Sequence, residues 1–231
     1  MINVEGHQEG TAKGYNPKKL GNVCYNIQFA FCDELKAYIT GRVRSGNTYT
    51  ANGAAEMIKE IVANIKTDDL EILFRMDSGY FDEDIVKTIE SLGCKYLIKG
   101  KEYPTLASQV MDPSISFVKG DEGRETAELV TKLNTWDNDR RFVVSRVLKP
   151  EKERSQLSLS QSALRVEGDE YEYFFFVTNT NYLQKKWSFL TKNVATLRIT
   201  SRKPSMTGTP HHVVIRGYGG WTSITDIVLG Q

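Results

Sequence analysis

The stretch "EILFRMDSGYF", Glu71 to Phe81, sets a carboxylate, Asp77, just after the apolar run Ile72-Leu73-Phe74 and just before Ser78-Gly79. Sheets with parallel strands gather functional groups at the strands' carboxyl ends. A carboxylate delivered there, with a glycine behind it to turn the chain, can reach a divalent cation. Hard cations such as Mg²⁺ take oxygen ligands, often one or two carboxylates plus substrate phosphates. Asp-Ser-Gly is also ordinary turn chemistry. Asp77 therefore reads equally as the opener of a turn or the cap of the next helix.

Cations are the second group able to do chemistry. Lys13, Lys18, Lys19, Arg42 and Arg44 cluster in the first strands and their loops. Such a cluster either neutralises DNA phosphates, which supplies most sequence-independent affinity, or is a solvated charged surface. Lys99 and Lys101 flank Gly100 after a further apolar strand, which puts them near the same carboxyl edge as Asp77. Gly46, Asn47 and Thr48 read as a turn at a strand end. His7 has no second histidine or acid at ligand spacing and reads as a surface residue. Trp136, Trp187 and Trp221 are scattered and read as packing residues rather than base-stacking ones. His211 and His212 carry no assigned role.

The elements that must hold these residues follow from hydrophobic period. "INV" is a cut-short strand, "GHQEGTAKGYNPKKLG" a loop, "NVCYNIQFAFC" a strand, Asp33-Glu34 a turn, and "KAYITGRVRSG" the antiparallel partner. Ala54, Met57, Ile58, Ile61, Val62 and Ile65 then fall at helical spacing. "LEILFRM" is a continuous apolar strand of the kind buried on both faces. A second helix follows, with Asp82 as N-cap, Ile85, Ile89 and Leu92 as its stripe, and Gly93 at its C-terminal cap. "CKYLIKGK" is the next strand. The order β-β-β-α-β-α-β to residue 101 predicts an α/β fold with three antiparallel strands, then parallel strands joined by helical crossovers. Residues 102–170 read as a β-rich insertion with polar turns, 171–189 as a return to the core through "YEYFFFVTN", and 190–231 as a tail of different character.

Composition bounds the rest. The 231 residues carry 30 Lys/Arg against 29 Asp/Glu, a net charge of +1 that selects no partner by itself. The distribution is uneven: from Tyr173 to Gln231 the sole acid is Asp226, against seven Lys/Arg. A one-sided tail of this kind fits nucleic-acid contact or a segment never selected to fold. Cys24, Cys32 and Cys94 lack CxxC spacing and suit a reducing compartment, with neither disulfide framework nor zinc. No secretory signal opens the chain, and runs such as "YFFFV" are too short to cross a bilayer. The protein reads as cytoplasmic, with no membrane partner.

"GHQEGTAKGYNPKK", "SGNTYTANGAAE", "RMDSGYF", "YLIKGK" and "YFFFVTN", in that order, resemble insertion-sequence transposases of the DDE type, from residue 2 to near residue 180. The resemblance implies an RNase-H-like mixed sheet with a β-rich insertion. It implies DNA as partner, at insertion-sequence ends, and a homodimer or an intact transposase as possible protein partners. It implies Mg²⁺ or Mn²⁺ as cofactor, held by three acids, because two metal ions must be clamped to activate the attacking oxygen and stabilise the leaving one in phosphoryl transfer. Asp77 matches the second acid and is the catalytic and metal-binding candidate. Gly46, Asn47 and Thr48 would then face the active site.

The pattern departs in two places. "INVEGHQ" aligns just after the family's Asp-Ser-Thr run, so the first acid would fall shortly before Met1. The third, a Glu in Tyr-x-x-Arg-x-x-x-Glu, should follow "YFFFVTNTNYLQKKWSF", yet no glutamate lies beyond Glu172. Displaced by one base, the codons of "LTKNVATLRITSRKPSMT" permit Tyr-Glu-Lys-Arg-Gly-Asn-Ala-Glu-Asn-Tyr-Ile-Lys-Glu-Ala-Lys-Tyr-Asp. That text contains the missing motif in register, with its Glu across the Leu197/Arg198 boundary. The expectation is a frame slip before or near Leu190, and a chain that binds cation weakly and does not cut DNA.

Overall fold

The computed structural model describes residues 2–4, 8–14, 22–32, 37–65, 70–101, 103–120, 123–150, 170–181, 198–201 and 213–217. One mixed sheet runs through all of it, flanked by helices. The first strands are β1 (Ile2–Asn3), the short β2 (Ala12–Lys13), β3 (Val23–Cys32) and β4 (Ala37–Ser45). β3 alternates strictly, with Cys24, Asn26, Gln28, Ala30 and Cys32 buried, which fixes its register against a core on one face. β2 lies inside a stretch that reads as loop in the sequence; a strand of two residues is too short to show a period.

Helix α1 (Ala54–Ile65) buries the expected stripe of Ala54, Met57, Ile58, Ile61 and Val62, with Ile65 packed beside it. Strand β5 (Leu70–Met76) leads to α2 (Glu83–Ser91) and then β6 (Lys95–Lys99). Asp82 caps α2 by accepting from the Asp84 N–H at 2.9 Å. Gly93 ends it with φ +68°, a left-handed conformation suited to glycine. β5 and β6 are parallel, Arg75 opposite Leu97. Ile72, Phe74 and Met76 of β5 and Tyr96 and Ile98 of β6 point at the helices and form the main core with them.

The β-rich region adds a helix that periodicity did not show, α3 (Pro104–Val110), then β7 (Val118–Lys119), β8 (Arg124–Thr131) and β9 (Arg140–Leu148). Only two side chains of α3, Leu106 and Val110, are buried, too few to set a stripe. β10 (Tyr171–Thr178) pairs antiparallel with both β6 and β9, so these strands extend the same sheet. Trp136 is a packing residue, 5.0 Å from the Phe81 ring and 6.2 Å from Phe142. Trp187, Trp221, His7, His211, His212 and the Asp33-Glu34 turn lie outside the described residues.

Two further strands come from beyond Leu190: β11 (Arg198–Ser201) and β12 (Val213–Gly217). β12 stands between β3 and β5, antiparallel to the first and parallel to the second, while β11 pairs the lower half of β5. No helix among the described residues is long and apolar enough to cross a membrane.

Candidate functional site

Asp77 is the first residue past β5, and parity explains its aim. Ile72, Phe74 and Met76 take the core side, so Asp77 falls on the other parity, with Leu73 and Arg75. Its backbone is extended (φ −78°, ψ 175°) and opens a 3₁₀ turn over Ser78–Tyr80. Asp77 Oδ1 accepts from the Gly79 N–H at 2.8 Å. The cap reading is thus realised, and it engages Oδ1, one of the carboxylate's two oxygens.

Burial pushes the Asp77 carboxyl above the ordinary carboxylate range; the Gly79 N–H and the Lys99 charge pull the other way. A carboxyl whose folded pKa is raised binds more protons folded than unfolded. Its stability contribution is present below the ordinary value of 3.8 and is lost as pH rises towards the raised one. Asp77→Asn keeps an acceptor for Gly79 and removes the charge. The variant is expected to melt higher than native at pH 7, with the gap closing as the acid is protonated, as thermal melts between pH 3 and 7 would read.

Beside Asp77 lies a loop, residues 46–53, held by three buried or half-buried polar side chains. Asn26 Nδ2 donates to the Thr48 carbonyl at 2.7 Å, and Gln28 Nε2 to the Thr50 carbonyl at 2.5 Å. Arg44 donates to the Tyr49 carbonyl at 3.2 Å, to the Asn52 carbonyl, and to Asn26 Oδ1 at 2.9 Å. The loop presses on the Asp77 turn: a Cβ on Gly79 would stand 2.9 Å from Thr50 Cγ2. Tyr80 is pushed up by burial and by the Asp77 charge. Its hydroxyl and Gln28 Oε1 are both buried without a well-formed hydrogen bond. Tyr80→Phe removes a buried hydroxyl whose only partner, Gln28, is poorly aligned, and is expected to cost less than about 1 kcal/mol, or to stabilise, by denaturant melt.

The cations divide into two sets. Arg42 pairs with Glu60 at 2.6 Å and donates to the Gly53 carbonyl at 2.9 Å, and Arg44 braces the loop. Both spend donors on the fold. Lys13 and Lys101 are exposed, as is Asn47 at the loop's start. Lys99 is half-buried, its Nζ 5.5 Å from the centroid of the Phe174 ring, over which Arg124 also sits at 5.8 Å. Lys18 and Lys19 lie outside the described residues. Tyr49 goes unmarked by the sequence: its ring is 79% exposed on the braced loop. A usable signal was the pair Asn26 and Gln28, two amides on the inward parity of a strand that is otherwise apolar there.

The donor set of the described residues does not fit a two-metal centre. Among the described residues no three His, Cys, Asp or Glu side chains converge, and the charged side chain acting most on Asp77 is a lysine.

The described residues form a mixed α/β sheet with Asp77 at the carboxyl edge of its parallel strands and the Lys99 charge acting on it. The chain matches the family model described as Transposase DDE domain group 1 over residues 2–202, and it belongs to that family. A search of curated proteins found no match.

Proposed function

We propose that this is an RNase-H-like transposase domain that holds DNA across the Asp77 edge without cutting it. The observation that carries the reading is Asp77 itself, a half-buried carboxylate at the end of a parallel strand, with Lys99 and an ordered loop beside it. The lineage reaction is metal-dependent strand cleavage and transfer in DNA transposition. Asp77 beside Lys99, with no three ligating side chains converging among the described residues, supplies too little negative charge and too few oxygens for the cations that reaction needs. A protein that grips DNA without cleaving it can interfere with an intact transposase, either as its partner or as a homodimer on its ends.

The DNA surface runs from Lys13 and Asn47 past Tyr49 to Lys99 and Lys101. A contact chain supports that continuity: Gly14 abuts Gly46, the loop follows, and Thr50 abuts Gly79. Gel shifts of duplex DNA at stepped salt test it. Native protein should shift the duplex, and the shift should weaken as salt rises. The Lys13→Glu/Lys101→Glu pair should flatten the log–log salt slope by about one per lysine. Tyr49→Ala should weaken single-strand binding by about 1–3 kcal/mol, the worth of one stacked base. A salt-insensitive shift, or none, contradicts the reading.

The third acid is proposed to lie in another reading frame near Leu190. The family match runs on to residue 202, yet this frame holds no glutamate after Glu172. Reading the nucleotides from Leu190 to Thr207 decides it. If no shifted frame encodes Tyr-x-x-Arg-x-x-x-Glu, the proposal fails.

A further inference from the structure

Two sites where cations meet aromatic rings lie on opposite faces of the outer strands, and they differ in charge. On the core face Arg146 stacks 3.7 Å from the Phe117 ring centre and 4.2 Å from that of Tyr171, and Glu125 pairs with it at 2.6 Å. That site balances its own charge. On the other face Lys99 Nζ and the Arg124 guanidinium approach one ring, Phe174, at 5.5 Å and 5.8 Å. Here two cations share a ring, and among the described residues no carboxylate forms an ion pair with either.

Pairing shows how the two come to meet. Lys99 stands opposite Phe176, a member of the second buried cluster, and Phe174 packs against that cluster on the same face. Ser145 stands opposite Phe174, and Thr126 opposite Ser145; Arg124, two residues from Thr126, keeps that parity. Lys99 therefore rises from β6 and Arg124 from β8, with β10 and β9 between them. Three strand spacings separate their backbones, about 14 Å, yet both charged groups arrive at one ring. The ring face attracts each of them, while the two charges repel one another. The other three arginines of β8 and β9, Arg140, Arg141 and Arg146, each hold a glutamate. Of the acids on the Phe174 face, Glu128 is taken by Arg141 at 2.7 Å, and Glu172, opposite Val147, forms an ion pair with neither cation.

We propose that Lys99 and Arg124 form a phosphate clamp over Phe174, which holds one phosphodiester of the bound DNA on the outer strands of the sheet. An anion between the two charges offsets their repulsion. The guanidinium fork matches two oxygens of a phosphate, and the ammonium adds a point charge beside it. The Lys99 charge also acts on Asp77, so the clamp adjoins the Asp77 edge. The DNA track thus continues from Lys101 and Lys99 onto β10 and β8, and the β-rich strands gain a part in binding. DNA as the source of the phosphate rests on the function proposed above; the clamp itself does not.

Duplex DNA and inorganic phosphate test this on the full chain. Arg124→Gln should weaken duplex binding roughly tenfold at low salt and lower the log–log salt slope by about one. Since both cations grip one phosphate, Lys99→Gln/Arg124→Gln should cost less than the product of the two single losses. Arg124→Lys keeps the charge and should recover most of the affinity. Lys119→Gln removes a charge from the opposite face, where Lys119 stands opposite Glu125, and should bind as native protein does. Native affinity in Arg124→Gln, with the Lys13→Glu/Lys101→Glu pair still weakened, overturns the clamp and leaves the DNA surface standing. Inorganic phosphate supplies a readout without DNA. Compared with chloride at equal ionic strength, it should move the Arg124 Nε–H signal in nuclear magnetic resonance spectra of native protein, and not in Lys99→Gln. A phosphate response in a protein that shifts no duplex keeps the clamp and overturns DNA as its occupant; no phosphate response overturns the clamp.

Discussion

Gly46→Ala is expected to cost about 3 kcal/mol or more, enough to leave the domain partly unfolded at 37 °C. A Cβ at position 46 would stand 2.4 Å from the Cys24 carbonyl oxygen, 2.5 Å from that of Ala12, and 2.6 Å from Cys24 Sγ. Two of those three atoms are backbone, on β3 and β2, so no rotamer change relieves the clash. The strands must part. Gly46 also faces Gly14, whose own Cβ would fall against the Gly46 carbonyl. This double close approach seats β2 against the loop that carries Asn47 and Tyr49. Gly93→Ala is the control. Its φ is +68° but the space around it is open, so only the left-handed backbone penalty of about 1–2 kcal/mol applies. Urea midpoints of both variants check the ranking; equal costs would mean that the Gly46 approach is not as tight as described.

Phe74→Ala is the second large effect, at about 3–5 kcal/mol. Phe74 is fully buried in the middle of β5, in the one cluster shared by α1, α2, β5 and β6. Its removal leaves a cavity that a central strand, fixed on both edges, cannot close. Asp77 lies three residues on, so a slackened β5 should weaken DNA binding along with stability. If the variant folds and binds as native protein does, β5 is not the strut that aims the site.

The elements up to residue 101 were legible because each has a clear period. The stripe of α1, the unbroken apolar run of β5 and the Asp82 and Gly93 punctuation of α2 each point to one structure, and the structure has them. α3 and β2 were not legible, since a single turn or two with two buried side chains, or a strand of two residues, has no period to read. Nor was the reach of the sheet. The strands of 118–148 look like a separate unit in sequence, and only the pairing of β10 with both β6 and β9 shows them to be its continuation.

Of the site, Asp77 was legible because a carboxylate directly after a buried run is unusual. Its two readings, cap and functional acid, were not separable by sequence, and the structure shows the cap without displacing the other. The roles of Arg42 and Arg44 were not legible, because charge in sequence says nothing about where donors are spent. Arg44 looks like a phosphate contact, and the structure shows its donors bracing a loop. Tyr49 was missed for the converse reason: exposure is a tertiary property, and an aromatic in "NTYTANG" resembles any other until its ring is seen in solvent.

The most direct test of the account is a nicking assay on end-labelled duplex DNA carrying the element's terminal repeats, with the purified 231-residue chain and either Mg²⁺ or Mn²⁺. The expected result is a retarded duplex whose strands stay intact with both metals. Strand breaks that depend on metal and vanish in Asp77→Asn would contradict it, because they would require a working metal centre at Asp77, where no three ligating side chains converge among the described residues.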